Sequence, residues 1–360
     1  MYNFRVEVLR SLIAQGKQVY VLAPRDNYSA KLISEGVHYI PLEIDNYGMN
    51  PLRDLKLLWT LFRTYRTYRF DKIYHYTIKP NIYGSIAAYL AKIHTHVAVV
   101  TGLGKMFRFK SPLTSFLANN LFKVACRINS QTWFLNIHDQ QKFIQEGICP
   151  KHKSLVLPSE GINISKFRPG KKTQTPLIRF LFAGRLLKQK GIELYLQAAK
   201  IFKLTYPNVR FEVLGFIDEN NPDAITYKEI GQWHQQGFIK YLGSTEDVRP
   251  YIQRADCIVF PSFYQEGLSR ILLESASMAT PIITSDQVGC REVVINRVTG
   301  YLCKKKSLAS LVTCIETFLS LSPRDREIMG AAARQRVKER YDMELVKVYY
   351  LDKNPSSVIS

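Results

Sequence analysis

Cysteine is scarce in this chain and does not cluster. Cys126, Cys149, Cys257, Cys290, Cys303 and Cys314 include no C-x-x-C pair. That argues against a disulfide frame or a zinc site and fits free thiols in a reducing cytosol. Long apolar runs are absent too, and no stretch is long enough to span a bilayer. The first residues do not read as a secretion signal. Acid is under-represented: 30 Asp and Glu stand against 50 Lys and Arg, a net charge of +20. Such an excess predicts an anionic partner, whether nucleic acid, an acidic membrane surface or a phosphorylated ligand.

What is present is enough for two cores. The chain has 360 residues, 46% of them hydrophobic, which suits two domains. Phe4 to Gln15 has helical spacing, and Gln18 to Pro24 (QVYVLAP) reads as a strand buried on both faces. A basic, aromatic helix is predicted over Asp54 to Arg69. Strands are predicted over Asp71 to Thr77, Val97 to Thr101, Thr132 to Asn136 and Ser154 to Leu157. Phe167 to Pro176 (FRPGKKTQTP) changes composition and is the linker candidate. Beyond it, Ile178 to Ala183, Val209 to Leu214, Ile239 to Leu242, Cys257 to Pro261 and Pro281 to Thr284 read as strands, with a helix over Ile192 to Phe202. Alternating strands and helices predict two α/β halves with parallel sheets. Arg334 to Tyr350 reads as one amphipathic helix.

Three stretches of the second half carry chemistry. In FAGRLLKQKG, Gly184 permits a tight turn after a strand, and Arg185 and Lys190 bracket the next helix start. A guanidinium fork and an ammonium at a strand's C-terminal edge suit a diphosphate. In EGLSRILLE, Gly267 lets a ligand approach the backbone. A helix starting near Leu268 offers its N–H groups. Glu266 and Glu274 are spaced to lie about 12 Å apart along a helix axis and accept hydrogen bonds from hydroxyls. In TSDQVGCREVV, Arg291 and Glu292 are predicted to start a helix after a polar loop. Each stretch by itself also reads as an ordinary strand-to-helix connection. Two cations and two carboxylates at such junctions together fit a nucleotide-sugar.

GRLLKQKG (Gly184 to Gly191), PSFYQEGLSRILLE (Pro261 to Glu274) and PIITSDQVGCRE (Pro281 to Glu292), in this order, resemble retaining glycosyltransferases of the GT-B fold, family 4. The E-x7-E spacing is that family's signature. YNFR (Tyr2 to Arg5), APRDNYS (Ala23 to Ser29), YTIKPNIYG (Tyr76 to Gly84), TGLG (Thr101 to Gly104) and NIHD (Asn136 to Asp139) are similar to its bacterial capsule, exopolysaccharide and O-antigen branch. The resemblance implies two Rossmann-like domains facing across a cleft. An acceptor-binding domain would cover residues 1–165 and a nucleotide-sugar domain 166–340. Residues 341–360 would form a helix that crosses back, and a tail.

By that resemblance Arg185 and Lys190 hold the donor diphosphate, and Glu266 contacts the donor sugar. Gly184, Gly267 and Leu268 line the donor, and Glu274 binds the ribose. Lys79, Asn81, Thr101 and Gly102 are acceptor-side candidates. The reaction would be metal-independent and retaining, with no cofactor; no Asp-x-Asp pair occurs. The donor would be a UDP-sugar and the acceptor a polyprenyl-diphosphate-linked saccharide. The protein would be cytoplasmic and peripheral on an anionic membrane surface. Basic aromatic stretches at Leu52 to Phe70 and Lys105 to Lys110 suit that surface.

Family members begin with an apolar strand and loop ahead of the position of Tyr2, so a first strand is expected to be missing here. His75 follows Tyr74, the position where the family often carries a His, and packing is its expected role. Ser159 and Glu160 stand where small residues are usual. The rivals are a nucleic-acid-binding protein, for which no matching motif occurs, a sugar-nucleotide epimerase on a GT-B-like fold, and an inactive relative. We read no nucleic acid as partner.

Overall fold

The computed structural model describes residues 2–45, 50–102, 112–171, 175–265 and 267–351. It divides into two units: residues 1–161 with 343–360, and residues 162–342. The boundaries expected from the sequence are 165/166 and 340/341. The predicted linker, Phe167 to Pro176, falls inside the second unit, where Phe167 is buried in the core.

The first unit runs α1 (Tyr2–Ala14), β1 (Tyr20–Ala23), α2 (Ser29–Ser34), β2 (His38–Pro41), α3 (Pro51–Tyr68) and β3 (Lys72–Tyr76). A π-helical turn (Pro80–Gly84) leads into α4 (Ser85–Leu90), followed by β4 (Thr95–Val100), α5 (Pro112–Ile128), β5 (Gln131–Phe134), α6 (Ile137–Gln145) and β6 (Ser154–Val156). The second unit runs β7 (Ile178–Ala183), α7 (Ile192–Thr205), β8 (Val209–Leu214), α8 (Tyr227–Gln235), β9 (Lys240–Tyr241), α9 (Arg249–Arg254) and β10 (Cys257–Phe260). It continues through α10 (Arg270–Ser277), β11 (Ile282–Ser285), β12 (Gly300–Cys303), α11 (Leu308–Ser320) and α12 (Pro323–Arg340). The last helix, α13 (Met343–Tyr350), returns to the first unit, where Met343, Val346 and Tyr350 pack on Val97, Val99 and Trp133.

All ladders in the second unit are parallel, in the order β12-β11-β10-β7-β8-β9. β10 and β11 are buried along their whole length. A parallel strand covered on both faces has no solvent side, and so β10 reads CIVF and β11 opens on two isoleucines. The order reverses between β7 and β10. From β7 the chain proceeds to β8 and β9 on one side, then returns to lay β10, β11 and β12 on the other.

The first unit holds two parallel sheets, β1-β2 and β3-β4-β5-β6. Leu12 of α1 packs against the apolar clusters of both. On another face Leu22 of β1 and Ile73 of β3 share a core with Leu57, Leu61 and Tyr65 of α3. The Tyr20 and Phe70 rings lie 5.2 Å apart. Yet among the described residues β1 and β3 make no ladder with each other. α3 is well framed at its ends: Asn50 Oδ1 accepts from the N–H groups of Leu52 and Arg53, and Pro51 occupies the first turn.

Two predicted elements differ. Arg291 and Glu292 lie in consecutive turns, not at a helix start. The predicted helix over Arg334 to Tyr350 is broken between α12 and α13. There the Tyr341 hydroxyl donates to Glu292 O, and the Ile162 N–H donates to Tyr341 O. These bonds draw the backbone out of the helix.

Candidate active site

The second unit brings its three motifs to the C-terminal edge of one sheet, beside the point where strand order reverses. In open α/β sheets this is where ligands bind. Gly184 leaves β7 with φ +149°. Its carbonyl lies so close to Gly215 that a Cβ there would meet the oxygen at 1.8 Å. The loops after β7, β8 and β9 are tied by backbone bonds, Gly184 N–H to Leu214 O at 3.0 Å and Gly215 N–H to Gly243 O at 2.7 Å.

Arg185 follows, half-buried. A short 3-10 turn over Lys188–Lys190 delivers Lys190, which is 9% exposed. Its ammonium lies 5.6 Å from the centre of the Phe260 ring and 5.3 Å from that of Tyr264. Both ring faces favour a cation there. Gly191 then caps α7 in the left-handed conformation, φ +82°.

The second motif meets the first through backbone: the Phe263 N–H donates to Gln189 O at 3.0 Å. It meets the third through the Ser269 N–H, which donates to Gly289 O at 3.2 Å. The Thr284 hydroxyl donates to Phe260 O at 2.6 Å. Glu266 lies outside the described residues. Gly267 is buried and Leu268 half-buried against the core. α10 starts at Arg270 with Ser269 as its N-cap, and no side chain caps it. Within its first turn the Leu272 N–H donates to Ser269 O at 3.2 Å. Glu274 lies one turn on, its side chain 12% exposed, with the Arg270 Nε donating to its Oε1 at 2.8 Å. Burial raises the Glu274 carboxyl above its ordinary value, and the Arg270 charge opposes that rise. Arg270 joins the site only in the fold, although its i,i+4 spacing to Glu274 is visible in the sequence.

The acceptor-side candidates belong to the first unit and divide into two groups. Lys79 is engaged: its ammonium donates to Asp54 Oδ1 of α3 at 2.5 Å, and the Tyr83 hydroxyl donates to Oδ2 at 3.0 Å. Asn81 is 2% exposed and donates from Nδ2 to Val99 O. These two pin the π-helical turn to α3 and β4. Thr101 and Gly102 sit half-buried just beyond the end of β4. Glu160, unexplained by sequence, pairs with Arg5 at 2.9 Å, and the Arg5 guanidinium lies 3.9 Å over the Tyr76 ring. His75 is packed, as expected, against Tyr65 and Ser85. Lys105 to Lys110 lies outside the described residues.

Comparison with known proteins gives the family. Residues 163–336 match the family model for glycosyl transferases group 1, and residues 2–136 match that for glycosyl transferase 4-like proteins. The chain is 28% identical over 368 residues to the N,N'-diacetylbacillosaminyl-diphospho-undecaprenol alpha-1,3-N-acetylgalactosaminyltransferase of Campylobacter jejuni, covering 98% of this chain and 94% of the relative. It is 23% identical to the capsular polysaccharide biosynthesis glycosyltransferase CapM of Staphylococcus aureus, over 95% and 90% of the two chains. Among solved structures it superposes on Anabaena Alr3699/HepE, crystallised with UDP and glucose. The TM-score is 0.76 at 19% identity, over 98% of this chain and 96% of that one. The fold is the two-domain GT-B fold.

Proposed function

We propose that this chain, which belongs to the glycosyl transferases group 1, moves a hexosyl or N-acetylhexosaminyl group from a UDP-sugar to a polyprenyl-diphosphate-linked saccharide in bacterial surface polysaccharide synthesis. The transfer is retaining and metal-independent. The observation that carries this reading is the placement of Gly184, Arg185 and Lys190 after β7 and of Gly267 and Glu274 after β10, the neighbouring strands where the order of one parallel sheet reverses. The C. jejuni relative's name supports a diphospho-undecaprenol acceptor, and the UDP complex of the Anabaena protein supports the nucleotide.

In this reading charge develops on the departing diphosphate, and Arg185 and Lys190 stabilise it. Arg185 offers a planar fork for two oxygens and Lys190 a point charge. Those cations supply the stabilisation that a divalent ion supplies elsewhere. The backbone at Gly267 and Leu268, just ahead of α10, lies against the donor's phosphate or sugar. Glu274, whose charged form Arg270 favours, accepts from the ribose hydroxyls. Glu266 holds the donor sugar. Thr101 and Gly102 are the acceptor-side positions that stay in the proposal; Lys79 and Asn81 act by holding the turn beside them. The protein works at the cytoplasmic face of an anionic membrane. An epimerase reading has no observation in its favour.

Calorimetric titration with UDP, GDP and ADP tests the donor half, alongside Arg185→Ala and Glu274→Ala. Selective binding of UDP, weakened at least tenfold in both variants, is expected. A folded wild-type protein that binds none of the three would overturn the transferase reading.

A further inference from the structure

We infer that the outer face of α3 is the surface that seats this protein on a bilayer of anionic lipid. The inference rests on the reading of the acceptor as a lipid-linked saccharide. α3 buries Leu57, Leu61 and Tyr65. On the opposite side Leu52, Lys56, Trp59, Arg63 and Arg66 recur at the spacing of one helical stripe, with Leu55 beside them. Leu52 is 78% exposed, Leu55 62% and Trp59 59%. Single exposed apolar residues are ordinary, but three within two turns on one face call for a partner.

The charges on the helix sort the same way. Its four basic residues are Arg53, Lys56, Arg63 and Arg66, and all four are exposed. Its one acid, Asp54, is turned inward, where Lys79 and Tyr83 bind it. Arg53 pairs with Asp45 at 3.2 Å and Lys56 lies 3.9 Å from Glu43, both acids from the segment before the helix; the helix itself puts no acid on its outer face, which is cationic and apolar. A bilayer of anionic lipid matches both properties in one partner. Leu and Trp side chains enter the headgroup boundary while Lys and Arg meet the phosphates. An acidic protein would match the charge but has no general need for a Trp and two Leu at the centre of the stripe. No helix among the described residues is long and apolar enough to cross a membrane, so attachment through this face would lie in the plane of the interface.

The test is sedimentation of the full chain with phosphatidylcholine vesicles, with and without phosphatidylglycerol, at low and moderate salt. Retention is expected on the anionic vesicles only, weakening as salt rises. Lys56→Gln/Arg63→Gln/Arg66→Gln should lower the partition coefficient roughly a hundredfold, from about fivefold for each basic residue removed. Trp59 supplies a second readout. Of the three tryptophans Trp133 is buried and Trp233 half-buried, so a blue shift on anionic vesicles should vanish in Trp59→Phe. Thermal midpoints and UDP affinity should be unchanged in these variants, because the substitutions lie on the outer face of the first unit. Retention by neither vesicle, equal retention of the triple variant, or no Trp59-dependent shift would overturn the inference. A protein that binds UDP but no vesicle fails here with the donor reading intact. One that binds vesicles but no nucleotide does the reverse.

Discussion

A Cβ placed on Gly191 would lie 2.2 Å from the carbonyl oxygen of Pro261. The contact joins the loop that carries Lys190 to the loop that leads toward Glu266. Only a residue without a side chain lets these two backbones close, and the left-handed φ at Gly191 adds a second requirement for glycine. Gly191→Ala should therefore cost at least ~2 kcal/mol in urea unfolding and weaken UDP binding as well. Gly231, inside α8 with nothing within 4 Å of its Cβ position, is the control. Gly231→Ala should stabilise by about 0.5–1 kcal/mol. Equal stability of Gly191→Ala and wild type would show that the two loops move apart freely.

The Arg270–Glu274 pair predicts a pH-dependent donor affinity. Burial favours the protonated carboxyl, and Arg270 opposes it. Without that cation the folded-state value rises further, and the acceptor of ribose hydroxyls is lost at a higher pH. Arg270→Met should bind UDP more weakly than wild type, with the deficit growing as pH falls from 8 toward 5. Arg270→Lys should recover part of the loss. Calorimetry across that range reads the effect. A pH-independent deficit would mean that Arg270 acts by packing alone.

Arg5 and Glu160 are 155 positions apart and form a half-buried ion pair beneath Tyr76, whose hydroxyl donates to that of Tyr350. Burial alone would lower the Arg5 value, and the Glu160 charge carries it above its ordinary range instead. Glu160→Gln leaves the guanidinium buried without its counter-charge and should cost about 3 kcal/mol. Adding Arg5→Met should return much of that loss. An additive double-mutant cycle would refute the coupling.

Much of this was legible in the chain, and what was not has identifiable causes. β10 (CIVF) is a continuous apolar run because both faces are covered, β7 (IRFLFA) and β11 (IITS) are mostly apolar, and the motifs follow directly from their ends. β2 (HYIP) and β12 (GYLC) are four-residue strands with no such run, so pattern alone passes over them. The helix predicted from Arg291 fails because Gly289 has φ +83° and the next residues turn Cys290, Val293 and Val294 into the core. The break at Tyr341 is invisible to periodicity because tertiary bonds to Glu292 and Ile162 make it. Lys79 is an acceptor-side candidate by its motif, and only the fold brings Asp54 to it. The same holds for Glu160 and Arg5. Pairings between distant residues leave no mark in spacing.

His75 gives the fold a defined acid sensitivity. It is 3% exposed, its Nε2 is 3.1 Å from the Tyr65 hydroxyl, and a Cβ on Gly84 would touch its ring at 2.5 Å. Burial, with a smaller push from His96, lowers its pKa from 6.5 to about 3. The native protein therefore refuses a proton that the unfolded chain accepts below 6.5. Stability from this group is complete above that value and falls with decreasing pH by at most ~1.4 kcal/mol per unit until about 3. His96, also lowered by burial, contributes in the same direction. His75→Gln keeps a polar partner for Tyr65 but does not titrate. Its unfolding free energy between pH 6.5 and 4 should fall less steeply than that of wild type, by close to one proton. Identical slopes for the two proteins would mean that His75 is already charged, or solvated, in the native state.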